Sequence, residues 1–196
     1  MKYLIVVFCL GFASCITIKI NNSNHGQLTV QQKQHVLKFS DVVPTLVCNY
    51  ADSCVLTEID SKGIFKVAQK SDYLWVHTFS PWCSSDGCIN QARYIAEAAK
   101  YRGKLKIMMF SNSYDFKNIA ELMSPTSYRG MVYVGDFNFY GSNIKKVQKS
   151  LANELFHKKS KYYSDYIIAK DTVVLFKGWE ESYDQFFDKI AATVKR

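Results

Sequence analysis

The second half of the chain alternates between short apolar runs and amphipathic segments. The apolar runs predict strands over Leu74–Phe79, Lys104–Phe110, Met131–Asp136, Tyr163–Ala169 and Thr172–Lys177, the last two joined by a turn at Lys170-Asp171. The amphipathic segments predict helices over Cys88–Tyr101, Asp115–Met123, Asn143–Phe156 and Tyr183–Val194. Strands that alternate with helices favour parallel crossovers in a sheet covered on both faces. The pattern therefore predicts an α/β fold with a central mixed sheet, the strand at 74–79 in its middle and helices on both sides.

Local signals support several of these helices. The helix over 143–156 has four apolar residues on one face, Ile144, Val147, Leu151 and Leu155. That spacing is typical of a half-buried helix. Asp115 or Ser113 is expected to cap the helix over 115–123, and Pro125 lies just beyond its end. Gly103 is expected to end the helix that begins near Cys88.

The chain before residue 70 has a weaker pattern. Residues 44–48 and 53–57 predict two strands joined by a turn, and Ile64–Ala68 predicts an extended piece or a short helix. The polar, turn-rich stretch at 21–27 has the composition of a tether.

The first residues have the composition of an export signal. Lys2 precedes an almost wholly apolar run, Tyr3–Phe12, which is too short to span a bilayer. The small residues directly before Cys15 resemble the lipobox of bacterial lipoproteins, although Phe12 stands where leucine is more usual. The resemblance implies cleavage before Cys15, lipidation of that cysteine and a place in the bacterial cell envelope, in the periplasm or at the outer membrane. The alternatives are an ordinary secretory peptide and a buried strand that continues into Ile16–Ile20.

The expected organisation is a signal peptide over 1–14, a lipid-anchored tether over 15–27 and one domain over 28–196, whose core spans about 70–196. The chain has six cysteines. With Cys9 removed and Cys15 lipidated, Cys48, Cys54, Cys83 and Cys88 remain. An even number in an exported chain favours disulfides. Proximity in sequence favours a structural 48–54 pair and an 83–88 pair. The rival is a disulfide between the N-terminal segment and the 83–88 turn.

A Trp-Cys step lies between the predicted strand at 74–79 and the helix that follows Cys88. A thiolate at a helix N-terminus is stabilised by unpaired N–H groups and the helix dipole, which lowers the cysteine pKa. Strand, Trp-Cys and helix in this order resemble the redox-site turn of thioredoxin-like proteins. The element order over about 70–196 resembles the larger TlpA/ResA-type thiol-disulfide oxidoreductases, or redoxins. The resemblance implies a thioredoxin-like three-layer sandwich with an insertion in its core and added N-terminal strands.

The resemblance also implies roles for individual residues. Cys83 matches the attacking thiol because it directly follows Trp82, and Cys88 matches the resolving thiol, displaced from its usual position. The family has a cis-proline before the penultimate strand, facing the disulfide, but residues 161–166 of this chain contain no proline. Substrate contacts are expected from Trp82, Tyr163 and Ser164.

The spacing of the two cysteines constrains their geometry. Four residues separate Cys83 from Cys88. Positions five apart on a helix point about 140° away from each other. A disulfide needs its Cα atoms within about 7 Å, so most of the segment from Cys83 to Asp86 has to be loop. Asp86 or Ser85 then caps the helix, and Cys88 lies in its first turn.

The expected function is an envelope thiol-disulfide oxidoreductase that acts on specific partner cysteines without a metal or cofactor. Its expected partners are envelope protein thiols or disulfides, and the membrane through the lipid anchor. The main alternative is a degenerate, non-catalytic lipoprotein in which the 83–88 disulfide is a structural staple and which binds a polypeptide or copper. In a Sco-like copper carrier, His77 or His157 would join the two thiolates, since thiolates suit Cu(I). A peroxiredoxin-like site and a structural zinc site have weaker support.

The formal charge of +8 raises the question of an anionic partner. Small basic clusters lie at 145–149 and at 157–161. A basic face can meet nucleic acid or an anionic membrane. A solvated helix face is the simpler interpretation, and no nucleic-acid partner is expected.

Overall fold

A mixed sheet of seven strands forms the centre of the molecule. The structure, a computed structural model, describes residues 22–40, 54–83, 91–101, 103–178 and 183–195. The strands are β1 (Val36–Lys38), β2 (Leu56–Ile59), β3 (Tyr73–Phe79), β4 (Leu105–Ser111), β5 (Val132–Gly135), β6 (Asp165–Ala169) and β7 (Val174–Gly178). Their order across the sheet is β1-β2-β5-β4-β3-β6-β7. The first five positions are mutually parallel, while β6 runs antiparallel to β3 and to β7.

Helices cover both faces of this sheet. They are α1 (Val30–Gln34), α2 (Ser61–Ala68), α3 (Gln91–Ala99), α4 (Phe116–Met123), α5 (Phe137–Tyr140), α6 (Ile144–Leu155) and α7 (Tyr183–Val194). On one face, Ile64 of α2 and Leu151 of α6 pack in one cluster with Leu74 of β3. On the other face, α3 and α7 pack against Trp75, and α4 packs against β4 and β5. The molecule is therefore a three-layer sandwich.

Strand β3 shows why the apolar runs form interior strands. Successive side chains of a strand point to opposite faces. Leu74 and Val76 accordingly enter the core under α2 and α6, whereas Trp75 enters the core under α3 and α7. A parallel strand covered on both sides is apolar along its whole length rather than at every second position.

The predicted fold class is confirmed. The order βαβαβα, then βα, then an antiparallel hairpin and a terminal helix is the thioredoxin-like order with an additional strand–helix unit. Strand β3 lies inside the sheet, between β4 and β6, but the middle position belongs to β4. Residues 61–68 form a helix, which decides between the two alternatives for Ile64–Ala68.

The predicted caps and faces also agree with the structure. Asp115 accepts a hydrogen bond from the backbone N–H of Asn118 and so caps α4. Gly103 has a φ of 82°, the left-handed conformation expected just past a helix. The four apolar residues of α6 named above are all buried.

The N-terminal part of the described chain is packed onto the domain. Ser23 is buried, its N–H donates to the carbonyl of Ser142, and its carbonyl accepts from the N–H of Tyr114. His25 stacks on Phe137 with ring centroids 3.6 Å apart. Ser23 and His25, which the sequence places in a tether, are therefore in contact with the domain.

Several sequence predictions fall on residues that the structure does not describe. They concern Cys15, Cys48, Ser85, Asp86 and Cys88, and the strand at 44–48. Within the described residues, no helix has the length and hydrophobicity needed to cross a membrane.

Candidate active site

Cys83 lies just beyond the carboxyl end of β3, an interior strand. Strand β3 ends at Phe79, a turn follows, and the N–H of Cys83 donates to the carbonyl of Ser80 over 3.2 Å. Cys83 is partly exposed and disulfide-bonded. Ligands of open α/β sheets bind outside the carboxyl ends of the strands. The predicted attacking cysteine thus occupies the edge of the sheet at which a functional site is expected.

Cys54 differs from Cys83 in exposure. It is also disulfide-bonded, but it is completely buried and packs with Leu56 in the apolar core. Complete burial is typical of a structural disulfide. Because Cys48 and Cys88 lie outside the described residues, the 48–54 and 83–88 pairings stay predictions.

Trp82, the residue next to Cys83, is held in place by a hydrogen bond. Its indole Nε1 donates to Asp115 Oδ2 over 2.7 Å. The other carboxylate oxygen of Asp115 caps α4, so the Trp-Cys step is tied to the start of that helix. The sequence predicts Asp115 as one of two candidate caps, with Ser113, but carries no signal for its bond to Trp82, which spans 33 residues.

A buried hydrogen-bonded cluster lies on the side of the sheet that α3 covers, and two of its members belong to β3, the strand that leads to this turn. Its centre is the carboxylate of Asp165, which is fully buried. Oδ1 lies 2.9 Å from Trp75 Nε1 and 2.7 Å from His77 Nδ1, and Oδ2 accepts from Ser164 Oγ at 2.6 Å. Three donors satisfy this charge, as a buried carboxylate requires.

The imidazole of His77 is held in one orientation. It is buried, it bonds Asp165 through Nδ1, and it stacks on Tyr94 of α3 with ring centroids 3.8 Å apart. An Nδ1–H that donates to a carboxylate leaves the lone pair of a neutral ring on Nε2. In the described part of the chain, His77 Nε2 is buried and has no hydrogen-bond partner. The arrangement can accept a proton or bind a metal ion at Nε2.

The segment before β6 reaches the same edge of the sheet. The N–H of Thr78 in β3 donates to the carbonyl of Ser164 over 2.7 Å. The Ser164 hydroxyl is committed to Asp165. The N–H of Tyr163 donates to the Tyr166 hydroxyl, and Lys177 lies over the Tyr163 ring. Ser164 and Tyr163 are thus placed beside the end of β3, and their contact with a substrate stays a prediction.

A second polar cluster, at the carboxyl ends of β1, β2 and β5, has no signal in the sequence analysis. Its centre is Glu58, which is 5% exposed and bonds Lys38, the Tyr114 hydroxyl and the N–H of Phe137. Lys38 also bonds Asp136 over 2.7 Å. An adjoining groove of about 310 Å³ is lined by residues of both charges. Because the carboxylates are already paired, this cluster fastens β1 to the sheet.

Burial and hydrogen bonds shift the pKa values of two members of this second cluster. Burial opposes the charge of Lys38, but the hydrogen bonds that Lys38 donates to Asp136 and Glu58 outweigh it and raise its pKa. Burial, with the hydrogen bond to Glu58 in the second place, raises the pKa of Tyr114 well above its ordinary range. Both side chains keep their ordinary protonation at neutral pH.

The two candidate metal-binding histidines lie on different faces of the sheet. His77 stacks on Tyr94 of α3, whereas the exposed His157 packs against Phe65 of α2, with ring centroids 5.9 Å apart. Only His77 belongs to the strand that leads to Cys83. The described residues contain no group of three His, Cys, Asp or Glu side chains able to hold a metal ion.

Comparison with known proteins finds distant structural neighbours. No family model matches the chain, and no curated protein matches it in sequence. The Sco protein BsSco, described as a member of a family of cytochrome c oxidase assembly proteins, is 13% identical, with a TM-score of 0.42 over 65% of this chain and 82% of that one. A thioredoxin-like protein from Aeropyrum pernix is 16% identical, with a TM-score of 0.42 over 78% of this chain and 88% of that one.

A third neighbour, Trgpx in its apo form, is 14% identical, with a TM-score of 0.39 over 64% of this chain and 82% of that one. These distant neighbours do not single out the TlpA/ResA type. The strand order, the two helical layers and the cysteine at the end of β3 make the chain a protein of thioredoxin-like fold.

Proposed function

We propose that the chain is an envelope thiol-disulfide exchange protein that acts on partner cysteines through Cys83 and Cys88. The observation that carries the proposal is the place of Cys83. It is a partly exposed, disulfide-bonded cysteine just past the carboxyl end of the interior strand β3, next to a tethered tryptophan. Exposed disulfides are the labile ones, whereas buried disulfides resist reduction.

The chemistry is two successive displacements at sulfur. In the reducing direction, the Cys83 thiolate attacks one sulfur of a partner disulfide, a mixed disulfide forms, and the first partner thiolate leaves. The Cys88 thiolate then attacks the Cys83 sulfur and releases the second partner thiolate. The partner disulfide gains two electrons, and the Cys83–Cys88 pair loses two and becomes a disulfide. The oxidising direction is the reverse of these steps.

In our proposal, the buried cluster around Asp165 supplies a base for this chemistry. A thiol loses its proton before it attacks, and the proton needs an acceptor. In our proposal that acceptor is Nε2 of His77, which is buried and has no hydrogen-bond partner among the described residues, and the Asp165 carboxylate stabilises the imidazolium that results. His77 lies six residues before Cys83 on the strand that leads to it. It acts through the cysteines and is a positioning and proton-holding residue rather than a nucleophile.

The same nitrogen supports a second candidate, the binding of Cu(I). Two thiolates and one imidazole form a soft ligand set that suits this ion. The support is the lone pair that the bond from Nδ1 to Asp165 leaves on Nε2. Tight Cu(I) binding by the reduced chain, lost in both Cys83→Ser and His77→Gln, would favour the copper-binding alternative.

A redox titration tests the exchange proposal against a structural staple. The full chain is equilibrated in glutathione and dithiothreitol buffers, alkylated and digested, so that each cysteine is followed separately. We expect a reduction potential for Cys83 between about −120 and about −270 mV, the range of exchange proteins. A potential below about −300 mV would contradict the proposal, because structural disulfides lie there. Cys54 is the internal control and should stay oxidised throughout, since it is buried.

A further inference from the structure

The structure points to a lipid-docking surface, separate from the cysteine chemistry, at the start of α6. We propose that three exposed lysines there, Lys145, Lys146 and Lys149, rest on an anionic membrane surface. We call them the lysine face. All three are exposed, and none forms a salt bridge within the described part of the chain. Three unneutralised charges are thus available to a partner.

The lysines project from one side of the helix. At about 100° per residue, the three positions fall within about 100° of one another around the helix axis. The opposite side carries the buried Ile144, Val147 and Leu151. The apolar side therefore anchors the helix to the sheet, and the lysine face points to solvent.

Helix stability does not account for these charges. Lys145 and Lys146 occupy the first turn of α6, which contains no acidic residue. A positive charge near a helix N-terminus opposes the helix dipole and is mildly destabilising. The lysines lie where folding disfavours them, which is the expected result when an external anionic surface is their partner.

The position of the N-terminal segment beside the start of α6 favours a membrane as the anionic partner of the lysine face. Asn22 forms a β-bridge with Asn143, the cap of α6, and the N–H of Ser23 donates to the carbonyl of Ser142. Asn22, the first residue that the structure describes, thus lies beside the lysine face. Cys15 lies seven residues before Asn22, a reach of at most about 25 Å. Any membrane attachment of that segment brings the lysine face close to lipid headgroups.

The electrostatics complement a weak anchor. A single acyl chain or a short apolar run binds a membrane only marginally, and stable attachment takes a second signal. Each lysine close to an anionic surface contributes about a five-fold gain in binding. Because β3, β4 and β5 are parallel, the start of α6 and Cys83 both follow carboxyl ends of strands at one edge of the sheet. We call the edge of the sheet that carries Cys83 the cysteine edge. Docking would therefore turn the cysteine edge towards the bilayer.

Vesicle binding of the full chain tests this inference. Partition is measured on phosphatidylcholine vesicles and on vesicles with about one third phosphatidylglycerol. The measured quantity is the ratio of the two partition coefficients, which removes the contribution of the N-terminal segment itself. We expect a ratio of at least about ten for the native chain, falling close to one in about 1 M salt, where charges are screened.

Two double variants with the same change in charge locate the effect. Lys145→Glu with Lys149→Glu should abolish the preference for phosphatidylglycerol. Lys104→Glu with Lys170→Glu, two exposed lysines at the opposite edge of the sheet, should keep it. Acidic residues near the start of α6 suit the helix dipole, so the first variant should fold, and its thermal unfolding checks this.

Three outcomes would overturn the inference. The first is a native ratio near one, and the second is an equal loss in both double variants, which would indicate net charge alone. The third is loss of duplex DNA binding in the first variant with vesicle binding unchanged, which would make nucleic acid the partner. None of these substitutions touches Cys83, so the reduction potential of that cysteine stays an independent measurement and the two proposals fail separately.

Discussion

At the scale of single residues, Asp165 joins the two strands that lead to the candidate site. Its carboxylate is buried between β3 and β6 and bonds Trp75, His77 and Ser164. Removing one hydrogen-bond donor from a buried charge lowers the free energy of unfolding several times more than removing an exposed hydrogen bond. The residues around Asp165 should therefore be more sensitive to substitution than those at the mouth of the turn.

Trp82 and Trp75 each donate a hydrogen bond to a carboxylate, so their substitution measures this difference in sensitivity. Trp82→Phe removes the bond to Asp115 at a half-buried site, and we expect a loss of about 1 kcal/mol in the free energy of unfolding. Trp75→Phe removes a donor to the fully buried Asp165 and leaves a cavity, so we expect at least about 3 kcal/mol. Urea unfolding of both variants gives the comparison. Equal losses would contradict the difference in burial.

His77 is the residue that separates proton transfer from simple packing. His77→Gln keeps an amide donor for Asp165 but removes the basic Nε2. If Nε2 accepts the thiol proton, the rate of disulfide exchange should fall at least about ten-fold and its dependence on pH should change. His157→Asn, a change on the other face of the sheet, is the matched control and should leave the rate unaltered. An unchanged rate and pH profile in a folded His77→Gln would limit His77 to packing.

At the scale of elements, the amphipathic and apolar patterns predict every helix and strand from β3 to α7 except the short α5. These elements carry their information locally, as in the apolar stripe of α6. The order of the strands depends instead on pairing between distant segments. No local signal places β5 beside β2, or His77 opposite Asp165, at a separation of 88 residues. The sequence accordingly predicts Cys83 and Trp82 but not the buried cluster around Asp165.

His25, in the N-terminal part of the described chain, gives a prediction on how stability depends on pH. Burial lowers the pKa of His25 below its ordinary 6.5, with help from Lys33 and Lys38 and against the attraction of Glu58. The folded chain thus holds His25 neutral where the unfolded chain begins to bind a proton. The stability that this provides is present above pH 6.5 and is lost as the pH falls below it.

Thermal unfolding at about pH 7.5 and about pH 5.5 tests this direction. The native chain should lose stability between the two pH values by more than His25→Gln, which has no group to protonate there. His157→Asn again serves as the control and should behave like the native chain. A native chain that gains stability on acidification relative to His25→Gln would contradict the sign.

At the scale of the whole molecule, the chain is a thioredoxin-like domain whose cysteine edge, second polar cluster and N-terminal segment meet at one side of the sheet. Residues 22–28 cross that side, between Tyr114 and Phe137 on one hand and the start of α6 on the other. An attachment upstream of residue 22 would therefore hold the domain by the side that carries Cys83. Export and lipidation at Cys15 remain predictions from the sequence.

Substitution of the predicted lipidation site tests the attachment. Cys15→Ala should move the protein from the membrane fraction to the soluble periplasmic fraction, because the acyl anchor is lost. Immunoblotting of separated fractions measures this, and Cys9→Ala, a change inside the predicted signal, should leave the distribution unaltered. Unchanged membrane association of Cys15→Ala would contradict the lipobox interpretation.

The central claim is disulfide exchange through Cys83, and trapping of mixed disulfides tests it most directly. Cys88→Ser removes the thiol that resolves the intermediate, so partner proteins should accumulate on Cys83 as adducts that dithiothreitol releases. Cys83→Ser removes the attacking thiol and should trap almost none. Envelope extracts of both variants are compared on non-reducing gels against the native chain. Adducts on Cys88→Ser alone are the predicted result, whereas an absence of adducts on both variants, or equal adducts on both, would contradict the account.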